Sequence, residues 1–217
     1  MSRRRVARAV GLALLAIGSA PAAAGARTPS PCQRLQGPDL APARFVKLVE
    51  RRDGALVGCV LPRGPLRRVA TNGRAGDVDN RSYVIRQVAG RIVLVETSSM
   101  NDEASSTATE VHDLRSGRSF TIGQRCTVKA AFPCSIDSVD SVAAAFATPA
   151  GRAVAVVVDD GWGTTGASVL AFTTLGTRRV LDSGDAGAIV PASLRLIGNL
   201  AFWTNAGAPR SASLTAG

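Results

Sequence analysis

Aromatic residues and histidine are scarce in this chain. Its 217 residues include two Trp, one Tyr, six Phe and a single His. So few rings leave little material for base-stacking platforms or for histidine metal clusters. Hydrophobic residues still make up 46% of the chain, and this share excludes wholesale disorder.

The common catalytic and metal-binding motifs are also missing. The sequence contains no Gly-x-Ser-x-Gly, His-Glu-x-x-His, Gly-x-x-x-x-Gly-Lys or Cys-x-x-Cys. Any Ser-His-Asp or Cys-His machinery would have to use His112, the single histidine. Its neighbour Asp113 points to the opposite face of the predicted strand and cannot orient the imidazole. We therefore assign no catalytic residue, metal or cofactor, and we favour a protein that is not an enzyme.

Lysine is nearly absent as well. Only Lys47 and Lys129 are lysines among 26 basic residues, and 16 acidic residues leave a formal net charge of +10. The 24 arginines accompany abundant alanine and are scattered along the chain, a pattern that indicates a compositional bias in place of a phosphate-binding patch. We therefore expect no nucleic-acid partner.

The first residues have the layout of a secretory signal peptide. Four arginines stand within residues 1–8, residues 10–17 form an uncharged apolar stretch, and small residues with two Ala-x-Ala sites follow. Gly18, Ser19 and Pro21 interrupt the stretch, which disfavours a spanning helix. We predict a signal peptide over residues 1–26 and a mature chain without a membrane span. Its expected location is the periplasm, the cell envelope or the outside of the cell.

The four cysteines predict two disulfides, because an even count is typical of exported proteins. Three pairings are possible. Cys126 and Cys134 enclose seven residues and would close a small loop, which leaves Cys32 to join the N-terminal segment to Cys59.

One pattern recurs four times after a proline-rich lead-in at residues 27–43, which we predict to be extended and unpacked. In each copy of this β-repeat domain, residues 44–217, a Gly precedes a short apolar strand. The leading glycines are Gly54, Gly90, Gly151 and Gly198. Glycine supplies the positive φ of a tight hairpin turn, and the apolar run that follows is typical of a buried sheet.

Each copy ends with a strand that we expect to finish at a second glycine. These glycines are Gly73, Gly123, Gly184 and Gly217. Copies two and three carry an additional strand, at residues 107–114 and 168–173. The copies therefore predict groups of three, four, four and three strands, about fourteen in all, in an all-β domain.

Repeats of about four strands are the signature of propeller blades. Residues 110–118, Glu-Val-His-Asp-Leu-Arg-Ser-Gly-Arg, are similar to the Asp-Leu-x-Ser-Gly hairpin that joins the last two strands of such blades. On this hairpin and the repeat, residues 45–217 resemble bacterial secreted and periplasmic β-propeller repeat proteins. The resemblance implies a small propeller-like array of about four antiparallel repeats with three or four strands each.

The short first and last copies leave three arrangements open: a small closed propeller, a ring completed by a second copy of the chain, or a two-sheet β-sandwich. Arg67, Arg118 and Arg178 open the final strand of three copies. We assign them to protecting an exposed edge strand from pairing with another chain.

Acidic pairs follow the second strand of copies two and three. They are Asp102–Glu103 and Asp159–Asp160, and a propeller would present both on one rim. Trp162 follows the second pair, and Trp203-Thr204-Asn205 ends the same strand of copy four. Carboxylates beside an aromatic ring are suited to gripping a sugar or a cation.

We therefore predict a secreted module that binds a protein or a glycan through rim loops 97–109 and 159–168. The binding residues would be Asp102, Glu103, Asp159, Asp160 and Trp162. One alternative is a hydrolase that uses these carboxylates on envelope polysaccharide. Another is a structural envelope protein that associates with copies of itself.

Overall fold

The chain folds into fourteen strands with two very short helices in a computed structural model that describes residues 28–41, 43–73, 80–100, 104–128, 140–159 and 166–215. The predicted signal peptide lies outside these residues. The helices are α1 (Pro31–Arg34) and a 3-10 turn (Pro191–Ser193). The strands are β1 (Val46–Glu50), β2 (Ala55–Val60), β3 (Arg67–Thr71), β4 (Asn80–Ala89), β5 (Ile92–Met100), β6 (Ala104–Asp113), β7 (Ser119–Val128), β8 (Asp140–Ala147), β9 (Ala153–Asp159), β10 (Gly166–Phe172), β11 (Arg178–Asp185), β12 (Arg195–Ile197), β13 (Leu200–Asn205) and β14 (Ala208–Ser213).

The described strands form four antiparallel sheets in chain order. The first sheet is β1-β2-β3, the second β4-β5-β6-β7, the third β8-β9-β10-β11 and the fourth β12-β13-β14. Each strand pairs with its sequence neighbour, so every sheet is a simple meander. The predicted all-β class and the grouping of three, four, four and three strands are confirmed, and the two-sheet alternative is wrong.

The leading glycines stand at tight turns, as predicted. Gly54, Gly90, Gly151 and Gly198 all have positive φ, between 58° and 90°. Each follows one strand and precedes the next at a short hairpin connection. A side chain in this left-handed region would be strained, so glycine fixes these corners.

The closing glycines do not all end strands. β7 continues beyond Gly123 to Val128, and β11 runs through Gly184 to Asp185. The expectation of strand ends at these two positions is wrong. In β7 the glycine lies beside a bulge, where the pairing register shifts between Thr109 and Glu110 of β6. Glycine in a strand interior is common at such irregularities.

The first sheet is also inverted relative to the predicted repeat. Gly73, just after β3, donates its backbone N–H to Arg81 at the start of β4, at 2.9 Å. The start of β3 lies instead against the β6–β7 turn, where the Arg67 guanidinium reaches Gly117. The Gly54 turn therefore lies at the opposite end of the sheets from the Gly90 turn. Reading these two glycines as equivalent positions is wrong.

Neighbouring sheets pack face to face. In β5, Ile92 and Leu94 join the cluster shared with the third sheet, whereas Val93 and Val95 join the cluster shared with the first. In β9, Ala155 faces the second sheet and the side chains of 154 and 156 face the fourth. A strand buried on both faces needs an unbroken apolar run in place of the usual alternation. This explains the runs seen in the sequence.

The outer face of the first sheet is covered by α1. Cys32 and Leu35 pack against Val49 and Val57, and a disulfide joins Cys32 to Cys59. The Ser30 side chain caps α1 by accepting the N–H of Gln33. The Cys32–Cys59 pairing is confirmed, and the prediction of an unpacked lead-in is wrong for this segment. The segment packs because Cys32 and Leu35 are apolar and cover a sheet face that would otherwise be exposed.

The outer face of the fourth sheet has no comparable cover among the described residues. Leu200 and Phe202 are exposed on it, whereas Ala201 and Trp203 on the inner face are buried. None of the four apolar clusters formed by the described residues contains members of both the first and the fourth sheet. The sheets form a stack of four layers with one covered end.

The second predicted disulfide involves a position that the structure does not describe. The half-buried Cys126 lies in β7, and its Sγ accepts a hydrogen bond from Gln124 Nε2 at 3.7 Å. Cys134 lies outside the described residues. The Cys126–Cys134 pairing stays a prediction.

We expect the variant Cys32→Ala/Cys59→Ala to lose about 3.5 kcal/mol of unfolding free energy, because the disulfide closes a loop across a separation of 27 residues. Denaturant unfolding of the variant beside the unmodified chain measures the loss. An unchanged transition midpoint would show that the α1 cover is held by packing alone.

The contact between the second and third sheets can be tested with two glycines. Gly176 and Gly207 have φ of 82° and 77°, but a Cβ on Gly176 would lie 2.7 Å from Phe120 Cβ, whereas none of the described atoms lies within 4 Å of one on Gly207. We expect Gly207→Ala to cost about 1 kcal/mol from backbone strain alone. Gly176→Ala should cost about 1–3 kcal/mol more through overpacking. Equal costs, measured by denaturant unfolding, would contradict the described packing.

Candidate functional site

The β5–β6 and β9–β10 hairpins, which carry the predicted acidic pairs, turn at the same end of the stack. The β4–β5 turn lies against the β8–β9 turn, where a Cβ on Gly90 would lie 3.0 Å from Pro149. Because the strands alternate in direction, the β5–β6 and β9–β10 hairpins of these two sheets both open at the other end. We call it the rim end. The expectation that both acidic pairs follow strands ending on the same side is therefore supported by the topology.

Of the five predicted binding residues, the structure describes only Asp159. This residue ends β9, is exposed, and pairs in register with Gly166 of β10 and Asp140 of β8. Asp102, Glu103, Asp160 and Trp162 lie outside the described residues. Their roles stay predictions.

Ten of the thirteen residues in the predicted loop 97–109 are strand, and so are four of the ten residues in 159–168. β5 extends to Met100 and β6 begins at Ala104, while β10 begins at Gly166. The loop bounds 97–109 and 159–168 are therefore too wide. Runs of Ser and Thr read as loop, but in an antiparallel hairpin their short side chains support the ladder equally well. Residues 101–103 and 160–165, between these strands, lie outside the described residues.

Two cross-strand pairs of hydroxyl groups, one on each face of the sheet, lie near the rim end of the β5–β6 hairpin, and we call them the hydroxyl ladder. The Ser99 and Ser106 hydroxyls are 2.8 Å apart, and those of Ser98 and Thr107 are 3.4 Å apart. Met100, beyond the ladder, is exposed. This hairpin presents small polar groups that can both donate and accept hydrogen bonds. The signal was visible in the sequence as Thr-Ser-Ser and Ser-Ser-Thr on either side of the tip.

A polar junction joins the first two sheets at the rim end. Asn72 Nδ2 donates to Glu50 Oε1 at 2.8 Å. Burial and the nearby Glu50 carboxylate raise the pKa of the Tyr83 hydroxyl above its ordinary value. The Asn72 Oδ1 and Tyr83 hydroxyl atoms are buried and have no hydrogen-bond partner of standard geometry within the described part of the chain. Sequence reasoning missed this junction because it depends on the inverted first sheet.

Trp203 is a core residue and not a rim ligand. Its side chain is 4% exposed, and its indole Nε1 donates to Asp182 Oδ2 at 2.7 Å. That hydrogen bond is the main reason why the pKa of Asp182 lies below its ordinary value of 3.8. Trp203 stands on the inner face of β13, so it packs against the third sheet. The idea that Trp203 takes part in gripping a ligand is wrong.

His112 pairs with a carboxylate that sequence reasoning missed. Its Nε2 lies 3.1 Å from Glu110 Oε2, two residues away on the same face of β6. Asp113 accepts instead from Arg91 Nε at 3.0 Å, as expected for a residue on the other face. Burial alone would raise the pKa of Asp113, but hydrogen bonds from Arg115, Ser116 and Arg91 hold it below the ordinary value. The two-residue period of a strand could have identified Glu110.

No three His, Cys, Asp or Glu side chains in the part of the chain that the structure describes lie close enough together to hold a metal ion. The helices found there are all too short, or not apolar enough, to cross a membrane. Comparison with models of known families, with curated proteins and with solved structures found no match to the chain.

We expect Asp182 to make stability depend on acid pH. Its folded-state pKa is lowered, so its contribution is present above the ordinary value of 3.8 and is lost as the pH falls through that value and below. Trp203→Phe keeps a buried ring but removes the indole N–H. The difference in unfolding free energy between the unmodified chain and this variant should shrink between about pH 6 and about pH 2. A difference that stays constant would show that the hydrogen bond does not set this pKa.

Proposed function

We propose that the chain is an exported binding module, not an enzyme, whose rim end recognises a protein or glycan partner. Export rests on the signal-peptide pattern of residues 1–26. The Cys32–Cys59 disulfide supports it, because disulfides persist mainly in oxidising compartments.

We further propose that the stack is propeller-like. In support, the Asp-Leu-x-Ser-Gly segment forms the turn between β6 and β7, the last two strands of the second sheet. Asp113 Oδ1 accepts the N–H of Arg115 at 2.9 Å, and Gly117 has a φ of 76°. The repeated face-to-face packing of meander sheets is in keeping with blades. The uncovered fourth sheet argues against a ring closed by this chain alone.

The observation that carries the binding proposal is that hydroxyl groups of the second sheet and a carboxylate of the third lie at the same end of the stack. The β5–β6 hairpin carries the hydroxyl ladder. In the neighbouring β9–β10 hairpin, the exposed Asp159 ends β9 and pairs with Gly166, the first residue of β10. Hydroxyls and carboxylates together can hold the hydroxyl groups of a sugar or the backbone of a peptide. Asp102, Glu103, Asp160 and Trp162 would add charge and an apolar surface at the tips.

The first experiment is a thermal-unfolding panel with envelope glycans, calcium and a chelator. A ligand at about 100 times its Kd adds about 2.7 kcal/mol, which raises Tm by about 5–10 °C in a domain of this size. A shift with one glycan names the ligand class. If no glycan shifts Tm, a protein partner is the remaining form of the proposal. It is tested in a pull-down from envelope extracts with the unmodified chain and the Trp162→Ala and Trp203→Ala variants.

Two Trp→Ala variants provide the matched test of the site. We expect Trp162→Ala to abolish the ligand-induced shift and leave the Tm of the free protein nearly unchanged. Trp203→Ala should instead lower Tm strongly, because it empties a buried site worth about 3–5 kcal/mol. A Trp162→Ala variant that loses stability as Trp203→Ala does, or that still binds at full strength, contradicts the rim site.

A further inference from the structure

Arginines converge at the end of the stack opposite the rim end. The turns there occupy residues 61–66, 90–91, 114–118, 148–152, 173–177 and 198–199. These segments contain no acidic residue, although Asp113, whose carboxylate accepts the N–H of Arg115, belongs to the β6–β7 turn. We call the arginines in and beside them the arginine surface, which includes Arg67, Arg91, Arg115, Arg118, Arg152 and Arg179.

Contacts between turns join this surface across all four sheets. The Arg67 guanidinium of the first sheet lies against Gly117 of the second. A cleft of about 190 Å³ between the second and third sheets is lined by Arg91, Arg118 and Gly151. Arg179 of the third sheet donates to the Ser213 carbonyl of the fourth at 2.9 Å. Arginines that are scattered in the sequence therefore lie at one end of the stack, where contacts link each sheet to the next.

Little negative charge opposes them. Asp113, at the end of β6 and in the β6–β7 turn, is already paired with Arg91 at 3.0 Å. Arg115 and Arg118 on the following turn are exposed. The described part of the rim end includes acidic residues, since Asp53 follows Arg51 and Arg52 in the β1–β2 turn and the exposed Asp159 ends β9.

Large apolar side chains are exposed at and beside the same turns. Leu175 at the tip of the β10–β11 turn is 68% exposed, and Ile197 beside the β12–β13 turn is 69% exposed. Leu66 and Leu200 are exposed at the adjoining strand starts. Apolar residues exposed at loop tips, set among cations, suit the interface of a lipid bilayer, where the tips enter the acyl boundary and the cations meet headgroups.

We propose that the arginine surface docks this protein on an anionic membrane surface. A soluble acidic polymer would use the charge but gain little from Leu175 or Ile197. Nucleic acid would gain from a row of stacking rings, but these turns contain none, and the exposed Phe45 beside the 61–66 turn already has the Arg44 guanidinium over its ring. This inference goes beyond the rim-end proposal and does not depend on it. Docking would leave the rim end facing away from the membrane.

The test measures binding of the full chain to phosphatidylglycerol–phosphatidylcholine vesicles and to pure phosphatidylcholine vesicles by co-sedimentation. We expect binding to the anionic vesicles only, weakening as salt is added. Each arginine near an anionic surface contributes about fivefold, so Arg115→Gln/Arg118→Gln should weaken binding about 30-fold. The matched variant Arg51→Gln/Arg52→Gln removes the same charge at the rim end and should bind as the unmodified chain does. The N-terminal apolar stretch is common to all variants, so it cannot produce this difference.

Variants of the exposed apolar residues distinguish binding to a membrane from binding to a soluble polyanion. Leu175→Ser/Ile197→Ser should weaken vesicle binding about tenfold or more and leave binding to immobilised heparin unchanged. Full vesicle binding by this variant would overturn the membrane assignment in favour of a soluble acidic polymer. Equal losses in the Arg115/Arg118 and Arg51/Arg52 variants would overturn the arginine surface itself. Either result leaves the rim-end panel, which uses different residues and ligands, unaffected.

Discussion

Burial of β5 and β9 on both faces is the constraint on which the rest of the molecule depends. Each of these strands supplies side chains to two apolar clusters, so it must be apolar at every position along its buried length. Close packing then restricts the neighbours. Gly58 has Leu48 and Leu114 side chains where a Cβ would stand, and no larger residue fits there without a shift. The stacking of sheets thus selects both the apolar runs and several glycines.

The features that depend on local chemistry, above all the hairpins, could be predicted from the sequence. A Gly with positive φ followed by an apolar run marks a hairpin wherever it occurs, so strand number and grouping could be predicted. The orientation of the first sheet could not, because Gly54 and Gly90 look alike in sequence. What distinguishes them is the contact of Gly73 with Arg81 and of Arg67 with Gly117, which join segments of different sheets. Long-range packing decides such contacts, and a single sequence does not encode them in any local period.

The candidate site shows the same division between local and long-range information. The Glu110–His112 pair was accessible from the two-residue period of a strand, and the hydroxyl ladder from two Ser/Thr runs facing across a hairpin. Trp203 was misread because its place in the chain, next to a turn, is that of a rim residue. Its side chain nevertheless faces inward, toward Asp182 of the neighbouring sheet. Alternation along a strand predicts which side chains share a face of the sheet, but the packing of the sheets decides which face is buried.

The meander topology also gives the two ends of the stack separate chemistry. In an antiparallel sheet, successive turns alternate between ends, so residues at alternate turns meet in space although they are far apart in sequence. An arginine that follows a hairpin glycine, as in Gly90-Arg91, Gly117-Arg118 and Gly151-Arg152, is therefore sent to one end each time. A compositional bias toward arginine would populate both ends alike, but it would not leave the paired Asp113 as the one acidic residue in or beside six turns at one end. Leu175 and Ile197 at that same end are the two most exposed large apolar side chains of the described residues. A single apolar and anionic partner surface accounts for both departures at once.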